Sequence, residues 1–237
     1  SPCFPSYGIN DSNLSYGQTQ FINNLNHSIA TILSNEANCF HLNADQILRQ
    51  LGEENFYDWR YWHIGKALYS RKTLAKIAQQ MQSIYNTFTG KTKKCLVLDC
   101  DNTLWGGVIG EDGIAGIKLS NSYPGSCYQE FQQAIVDLRH RGVIIALCSK
   151  NNEQDILDVF QNHNDMKLTL GDISAHQINW HDKASNLVTL SEQLNINLDS
   201  MVFIDDSEFE VNLINDKLPQ VTTIWLDKNK PVDITQK

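Results

Sequence analysis

Four groups of polar residues follow short apolar runs in this sequence, and together they could make one reactive site. Asp99 and Asp101 come directly after Cys95-Leu96-Val97-Leu98, in Asp99-Cys100-Asp101-Asn102-Thr103. Ser149 follows the run that ends at Leu147, in Cys148-Ser149-Lys150-Asn151-Asn152. Lys183 comes after Trp180-His181-Asp182, and Asp205 and Asp206 follow Met201-Val202-Phe203-Ile204. Carboxylates gathered in one place repel one another and raise each other's pKa unless a cation joins them. An oxygen-only ligand set without an imidazole points to Mg2+, which favours such sites when a phosphate also contributes. Mg2+ and Lys183 would neutralise a bound phosphate, while the Ser149 hydroxyl and nearby backbone amides hydrogen-bond its oxygens. Asp99 could then attack phosphorus in line, and Asp101 could protonate the leaving oxygen and later activate water. Each residue alone has a plainer reading, as cap, turn former or surface charge. The set carries the chemistry.

For these groups to meet, the apolar runs must be neighbouring strands. From Lys94 onward the pattern alternates between strand and helix. Strands are expected at Cys95 to Leu98, Val143 to Leu147, Met201 to Ile204 and Thr222 to Leu226, with a weaker one at Leu168-Thr169-Leu170. Helices are expected near Ser126 to His140, Glu153 to Gln161 and Lys183 to Leu194, with another after Asp206. All-apolar runs of this kind mark central parallel strands covered on both faces. Regular strand–helix repetition predicts an α/β, three-layer, Rossmann-like fold with a parallel sheet, whose ligands bind beyond the carboxyl ends of the strands. Residues 1–92 read as a mainly helical N-terminal region and 93–237 as the catalytic domain. Phe21, Leu25, Ile29, Ile32 and Leu33 recur at helical spacing, as do Leu74, Ile77, Ala78, Met81 and Ile84, before Gly90-Lys91-Thr92 ends the second helix.

A net charge of −8 argues against a general nucleic-acid binder. Between Asp58 and Asp99, however, the chain has no acidic residue and carries Arg60, Lys66, Arg71, Lys72, Lys76, Lys91, Lys93 and Lys94. That stretch reads either as a face for an acidic partner or phosphorylated substrate, or as a solvated helix surface. The six cysteines, Cys3, Cys39, Cys95, Cys100, Cys127 and Cys148, form no CxxC pair and no zinc-type spacing, which fits a reduced, cytoplasmic setting. The longest apolar run, Val143 to Cys148, is too short to cross a bilayer, and no secretory signal pattern opens the sequence. The abrupt Ser1-Pro2 start reads as that of a piece of a longer protein.

The segments Asp99-Cys100-Asp101-Asn102-Thr103, Ser149, Lys183 and Asp205-Asp206 resemble the motifs of the haloacid-dehalogenase (HAD) superfamily, whose first motif is DxDxT. That resemblance implies Asp99 as nucleophile and Asp101 as acid/base. It also implies a metal held by Asp99, the backbone carbonyl of Asp101, and Asp206, with Asp205 as second choice. Asn102, Thr103, Ser149, Lys150, Asn151 and Lys183 are then expected around the phosphate. More narrowly, the run Leu98 to Gly113 is similar to the FkbH-like subfamily. So are Ser149 to Asn152, Ile178-Asn179-Trp180, Phe203 to Asp206, and the Phe56 to Arg60 segment with the basic helix after it. Members associated with polyketide assembly lines take 1,3-bisphosphoglycerate, lose phosphate, and load a glyceryl unit onto the phosphopantetheine thiol of an acyl carrier protein. The resemblance therefore implies a glyceryltransferase that is a domain of a larger polyketide synthase.

Such transfer needs a sulfur nucleophile, and Cys127 is the candidate. Ser126 with Gln129 three residues on reads as a capping box, which would put Cys127 in a first helical turn where free N–H groups favour a thiolate. Cys100 and Cys148 are rivals, but strand alternation should point both away from the site. Only a helix and a strand fit between Lys183 and Asp205, and only a Gly-rich flap (Gly106 to Gly116) and one helix between Asp101 and Ser149. The expected cap is minimal, which would admit a bulky arm. Asp58 and His63 lack the GxSxG elbow that a hydrolase triad would need, so aromatic packing by Tyr57, Trp59, Tyr61 and Trp62 is expected there. A plain phosphatase with an idle Cys127 and a non-catalytic docking module are the competing readings.

Overall fold

The computed structural model describes residues 7–236, so Cys3 and the Ser1-Pro2 opening lie outside the described residues. The chain divides into two units, Ser1–Gly90 and Lys91–Lys237.

In the first unit, helix α1 (Gln18–Ser34) is followed by α2 (Ala44–Leu51), the single turn α3 (Glu53–Phe56), α4 (Trp59–Gly65) and α5 (Arg71–Phe88). Two of these begin as their sequence dictates. The Asn43 side chain accepts from Asp45 N at the start of α2, and Ser70 accepts from Thr73 N at the start of α5. Asp58 is likewise a cap, accepting from Tyr61 N at 3.2 Å ahead of α4, and this is its structural use. The expected aromatic packing forms in part: Tyr57 packs on Phe56 at 4.8 Å and on Trp59 at 5.6 Å between ring centroids, while Tyr61 and Trp62 instead carry the Arg60 and Lys66 cations over their rings at 4.9 and 5.0 Å. α1 buries none of its residues.

The second unit is a five-stranded parallel sheet in the order β3-β2-β1-β4-β5, with β1 Cys95–Leu98, β2 Ile144–Ser149, β3 Ala175–Ile178, β4 Met201–Asp205 and β5 Thr222–Trp225. Its helices are α6 (Ile109–Gly116), α7 (Gly125–His140), α8 (Glu153–Asn162), α9 (Lys183–Leu194) and α10 (Glu208–Lys217). β1 is buried along its whole length, which is why it carries no polar residue. One hydrophobic cluster gathers Leu96, Leu98 and Leu147 with Phe131 and Ile135 of α7, and the other gathers Val97 and Phe203 with Leu187 and Leu190 of α9. The two sets come from alternate residues of β1, so the sheet is covered on both faces. This is the α/β, three-layer, Rossmann-like fold with a parallel sheet that the strand–helix repetition predicts. Between Asp101 and Ser149 it adds only α6, its flanking loops and α7.

Two expectations fail. Leu168-Thr169-Leu170 is not a strand. Thr169 caps a 3-10 turn at Leu170–Asp172, where the Asp172 carboxylate accepts from Thr169 N at 2.8 Å and from its hydroxyl at 2.7 Å. The strand of that region is β3, whose half-buried His176 and Gln177 hide it from a search for apolar runs. The Ser126–Gln129 capping box is also absent. α7 begins at Gly125 after Pro124 without a side-chain cap, and Gln129 Nε2 instead donates to Asp165 O at 3.0 Å. Gly125 is required there, because a Cβ would lie 2.4 Å from Ser120 N.

Candidate active site

The parallel register sets the ends of β1, β2 and β4 side by side. Leu98 pairs with Leu147 on one flank and Ile204 on the other, and Asp99 N donates to Ile204 O at 3.0 Å. Asp99, Ser149 and Asp205 therefore emerge along one rim. Lys183 reaches it from the first position of α9, whose start is fixed by the Asp182 side chain accepting from Ser185 N.

Lys183 Nζ is the hub. It lies 2.8 Å from Asp99 Oδ1 and 2.6 Å from Asp205 Oδ2, with all three side chains almost wholly buried. Burial works to lower the ammonium's pKa, but Asp99 and Asp205 outweigh it and hold it above the ordinary lysine value. Asp205 is held above the usual carboxylate range, first by burial and then by the charge of Asp99, because one ammonium does not neutralise two carboxylates. Asp206 is raised for the same two reasons. Oxygens of Asp99, Asp205 and Asp206 all lie within 4.8 Å of one another, a spacing that suits one shared cation. Asp205 already uses Oδ2 for Lys183 and Oδ1 for Ser207 N at 2.8 Å. Asp206 bonds Asn102 and lies 3.8 Å from Lys228 Nζ, and Asp99 keeps an Oδ2 without a hydrogen-bond partner among the described residues.

Asp101 sits apart from that cluster and is held by neutral donors. Its Oδ1 accepts from Trp105 Nε1 at 2.9 Å and Ile109 N at 3.0 Å, and its Oδ2 from Asn151 Nδ2 at 3.0 Å. Burial outweighs these bonds, so Asp101 keeps its proton to a higher pH than an ordinary carboxylic acid. Asn151 Nδ2 also reaches Ser149 Oγ at 3.1 Å, tying the acid to the expected phosphate ligand. The side chain of Asp101 is not part of the carboxylate cluster; the resemblance assigns only its carbonyl to the metal.

Three residues expected at the phosphate are engaged differently. Lys150 Nζ is paired with Glu210 Oε1 at 2.6 Å. Thr103 is completely buried, and its hydroxyl has no hydrogen-bond partner among the described residues. Asn102 adopts a left-handed backbone with φ 52°, accepts from Gly107 N at 3.0 Å and hydrogen-bonds Asp206. It shapes the loop. Gly107, at φ 102°, leaves no room for a side chain, since a Cβ would meet Asp112 Oδ2 at 2.5 Å.

Cys127 lies in the first turn of α7 and is half-buried. No hydrogen bond or ion pair joins it to the Asp99 cluster among the described residues. Cys100 and Cys148 are buried, and burial pushes the Cys148 thiol up to about 12 and the Cys100 thiol well above its ordinary value; Cys100 lies past the end of β1, and its thiol hydrogen-bonds Ser149, so alternation along the strand does not turn it away from the site. Trp105 was not legible as a site residue. Its only signal is a position four residues after Asp101, where the turn brings its indole back to the carboxylate.

Comparison with known proteins agrees with this geometry. Residues 94–233 match the NLI interacting factor-like phosphatase family. The N-terminal part of the protein BF1531 from Bacteroides fragilis, described as containing a phosphatase domain complexed with Mg, is 35% identical with a TM-score of 0.91, over 98% of this chain and 61% of that one. The present chain thus spans less than two thirds of that relative's structure. A HAD-family enzyme from Bacteroides thetaiotaomicron, solved with magnesium and inorganic phosphate, is 14% identical with a TM-score of 0.42, over 57% of this chain and 95% of that one. A cobalt-bound deoxy-D-mannose-octulosonate 8-phosphate phosphatase from Haemophilus influenzae is 14% identical with a TM-score of 0.38, over 52% and 64%. At those scores the last two add nothing to the assignment. No curated protein matches the chain. Among the described residues no helix is long and apolar enough to cross a membrane.

Proposed function

The chain belongs to the NLI interacting factor-like phosphatase family, and from that premise we propose that it is a Mg2+-dependent phosphatase working through a phosphoryl group carried on Asp99. The observation that carries this reading is the arrangement around Lys183. One buried ammonium fixes Asp99 by Oδ1 and leaves Oδ2 available, with a separately held acid, Asp101, two residues away. Three carboxylates against one buried ammonium fit a divalent cation, and the Bacteroides fragilis relative was solved with Mg. Asp99 and Asp206 would hold the ion with the Asp101 carbonyl, and when bound it supplies the positive charge that draws a phosphate in and offsets the negative charge of its oxygens.

The chain's own groups do the rest. Asp99 Oδ2 attacks phosphorus as the bond to the leaving oxygen breaks, and Asp101 gives that oxygen its proton. Asp101 then takes a proton from water, whose oxygen attacks phosphorus, breaks the bond to Asp99 and releases inorganic phosphate. Ser149 Oγ accepts from Asn151 and also hydrogen-bonds the Cys100 thiol, and its O–H would turn to a phosphate oxygen when one binds. Mixing the protein with acetyl phosphate and Mg2+ and weighing it intact should show one added phosphoryl group, absent in Asp99→Asn. Phosphate release by that variant at the wild-type rate would sink the reading.

One observation favours a second, narrower reading. In the unit Lys91–Lys237 the buried Cys95, Cys100 and Cys148 all have raised thiols, and Cys127 is the half-buried cysteine among the described residues there. In this reading Cys127 sulfur attacks the acyl carbon of 1,3-bisphosphoglycerate and the acyl–phosphate bond breaks with loss of phosphate. The phosphoryl site removes the distal phosphate, and the phosphopantetheine thiol of an acyl carrier protein takes the glyceryl unit, freeing Cys127, within polyketide assembly. A glyceryl adduct on the intact protein that disappears in Cys127→Ala supports it; phosphate release without an adduct leaves the plain phosphatase. Charge reversal at Arg71 and Lys72 should weaken carrier-protein binding.

A further inference from the structure

The turn that carries Ser149 also fixes an aromatic ring in the open. Asn179, the first residue after β3, donates its N–H to Ser149 O at 3.1 Å, so Trp180 emerges next to the phosphoryl site. The indole Nε1 then donates to Asn152 Oδ1 at 3.2 Å, three residues beyond Ser149. Asn179 is itself braced, its Oδ1 accepting from Asn186 Nδ2 at 2.9 Å and from His181 N at 2.9 Å. The result is an indole whose polar edge is satisfied, on a residue that is 69% exposed. A flexible surface Trp would normally fold onto the nearest apolar surface to shed water. This one is held off by a bond to a polar side chain of the site loop.

Resting on the phosphatase reading above, we propose that Trp180 is a specificity-determining residue: a stacking platform for a flat, apolar group attached to the phosphate of the substrate. Its class of ligand is a phosphate monoester bearing a planar ring close to the ester oxygen. Three observations converge on that occupant. The platform is continuous with the phosphoryl site through Asn179 and Ser149, so its occupant is the rest of the substrate. β3 stands two strands from β1, about 10 Å at ordinary strand spacing, which is the reach of a fused ring joined directly to a phosphate over Asp99. The ring's fixed edge means that stacking costs little side-chain ordering, and aromatic faces favour flat partners over aliphatic ones.

Two non-hydrolysable probes test this in the presence of Mg2+, by calorimetry on the whole chain: 2-naphthylmethylphosphonate and methylphosphonate. The wild type should bind the naphthyl probe about tenfold or more tightly than the methyl one. Trp180→Ala should bring that ratio close to one while leaving methylphosphonate affinity unchanged, and Trp180→Phe should keep most of it. Asn152→Ala, which frees the ring without removing it, should lower the ratio part of the way. A wild-type ratio near one, a ratio that survives Trp180→Ala, or an equal loss of both probes in Trp180→Ala overturns the proposal, the last by making Trp180 a prop for the Ser149 turn. Failure of the wild type to bind either probe or to release phosphate from acetyl phosphate instead removes the phosphatase reading, and the platform with it.

Discussion

Helices α9 and α1 show comparable apolar periodicity and meet different fates. In the unit Lys91–Lys237, α9 buries Leu187 and Leu190 completely against the sheet. In the unit Ser1–Gly90, α1 repeats Phe21, Leu25, Ile29 and Ile32 just as regularly, yet Phe21 stays 66% and Ile32 64% exposed. Charge divides the same way. Lys183 is buried between two carboxylates, whereas Arg71, Lys72 and Lys76 stand on the exposed surface of α5. Periodicity therefore reports which element forms, and burial depends on whether another surface faces the stripe. A parallel sheet supplies such a surface, and α1 packs chiefly beside the short 3-10 segment Gly8–Asn13.

The contrast is sharpest at the charged residues. Lys183→Met should lower the free energy of unfolding by about 3–5 kcal/mol without added metal, because buried carboxylates lose their partner. It should also abolish phosphate release. Lys72→Met, which removes an exposed amine bonded to Asn55 Oδ1, should cost under about 0.5 kcal/mol. Urea melts of both variants compare them directly, and equal losses would break the distinction between the units.

Apolar truncation gives the next effect. Leu187→Ala should cost about 2–5 kcal/mol, because it empties a fully enclosed position, while Leu25→Ala should stay within about 0.5 kcal/mol. A comparable loss at Leu25 would mean that the α1 stripe is covered in solution.

The smallest effect is local. Asp11 ties the start of α1, with Oδ1 accepting from Gln18 N at 2.9 Å and Oδ2 from Thr19 N at 2.8 Å. Bonds from Thr19 and then Gln18 hold its carboxyl below the usual range. A lowered carboxylate stabilises the folded state above its unfolded pKa of about 4, and that contribution fades as pH falls through the folded value. Asp11→Ala should therefore speed amide exchange in the first turns of α1 at neutral pH and lose this effect in acid, with exchange in the sheet unchanged. A variant identical to wild type at neutral pH would show that α1 is anchored elsewhere.

Much of the fold was legible where burial is two-sided. β1, β2 and β4 stand out as apolar runs because both faces of the sheet are covered, and Asp99, Ser149 and Asp205 stand out because they end those runs. β3 was missed because an edge strand needs no such run, and the false strand at Leu168 arose because a Thr–Asp turn can sit among leucines.

Sequence by itself therefore determined the element types where burial is two-sided, and the identity of the groups that cluster, since chain-local hydrophobicity and strand ends are one-dimensional facts. Only the tertiary structure decided how each group is used. Lys183 is shared by Asp99 and Asp205, Asp101 is handed to Trp105 and Asn151, and Lys150 is drawn away to Glu210. These partnerships join residues up to 84 positions apart, and each is set by which side chains the folded sheet brings within hydrogen-bonding distance.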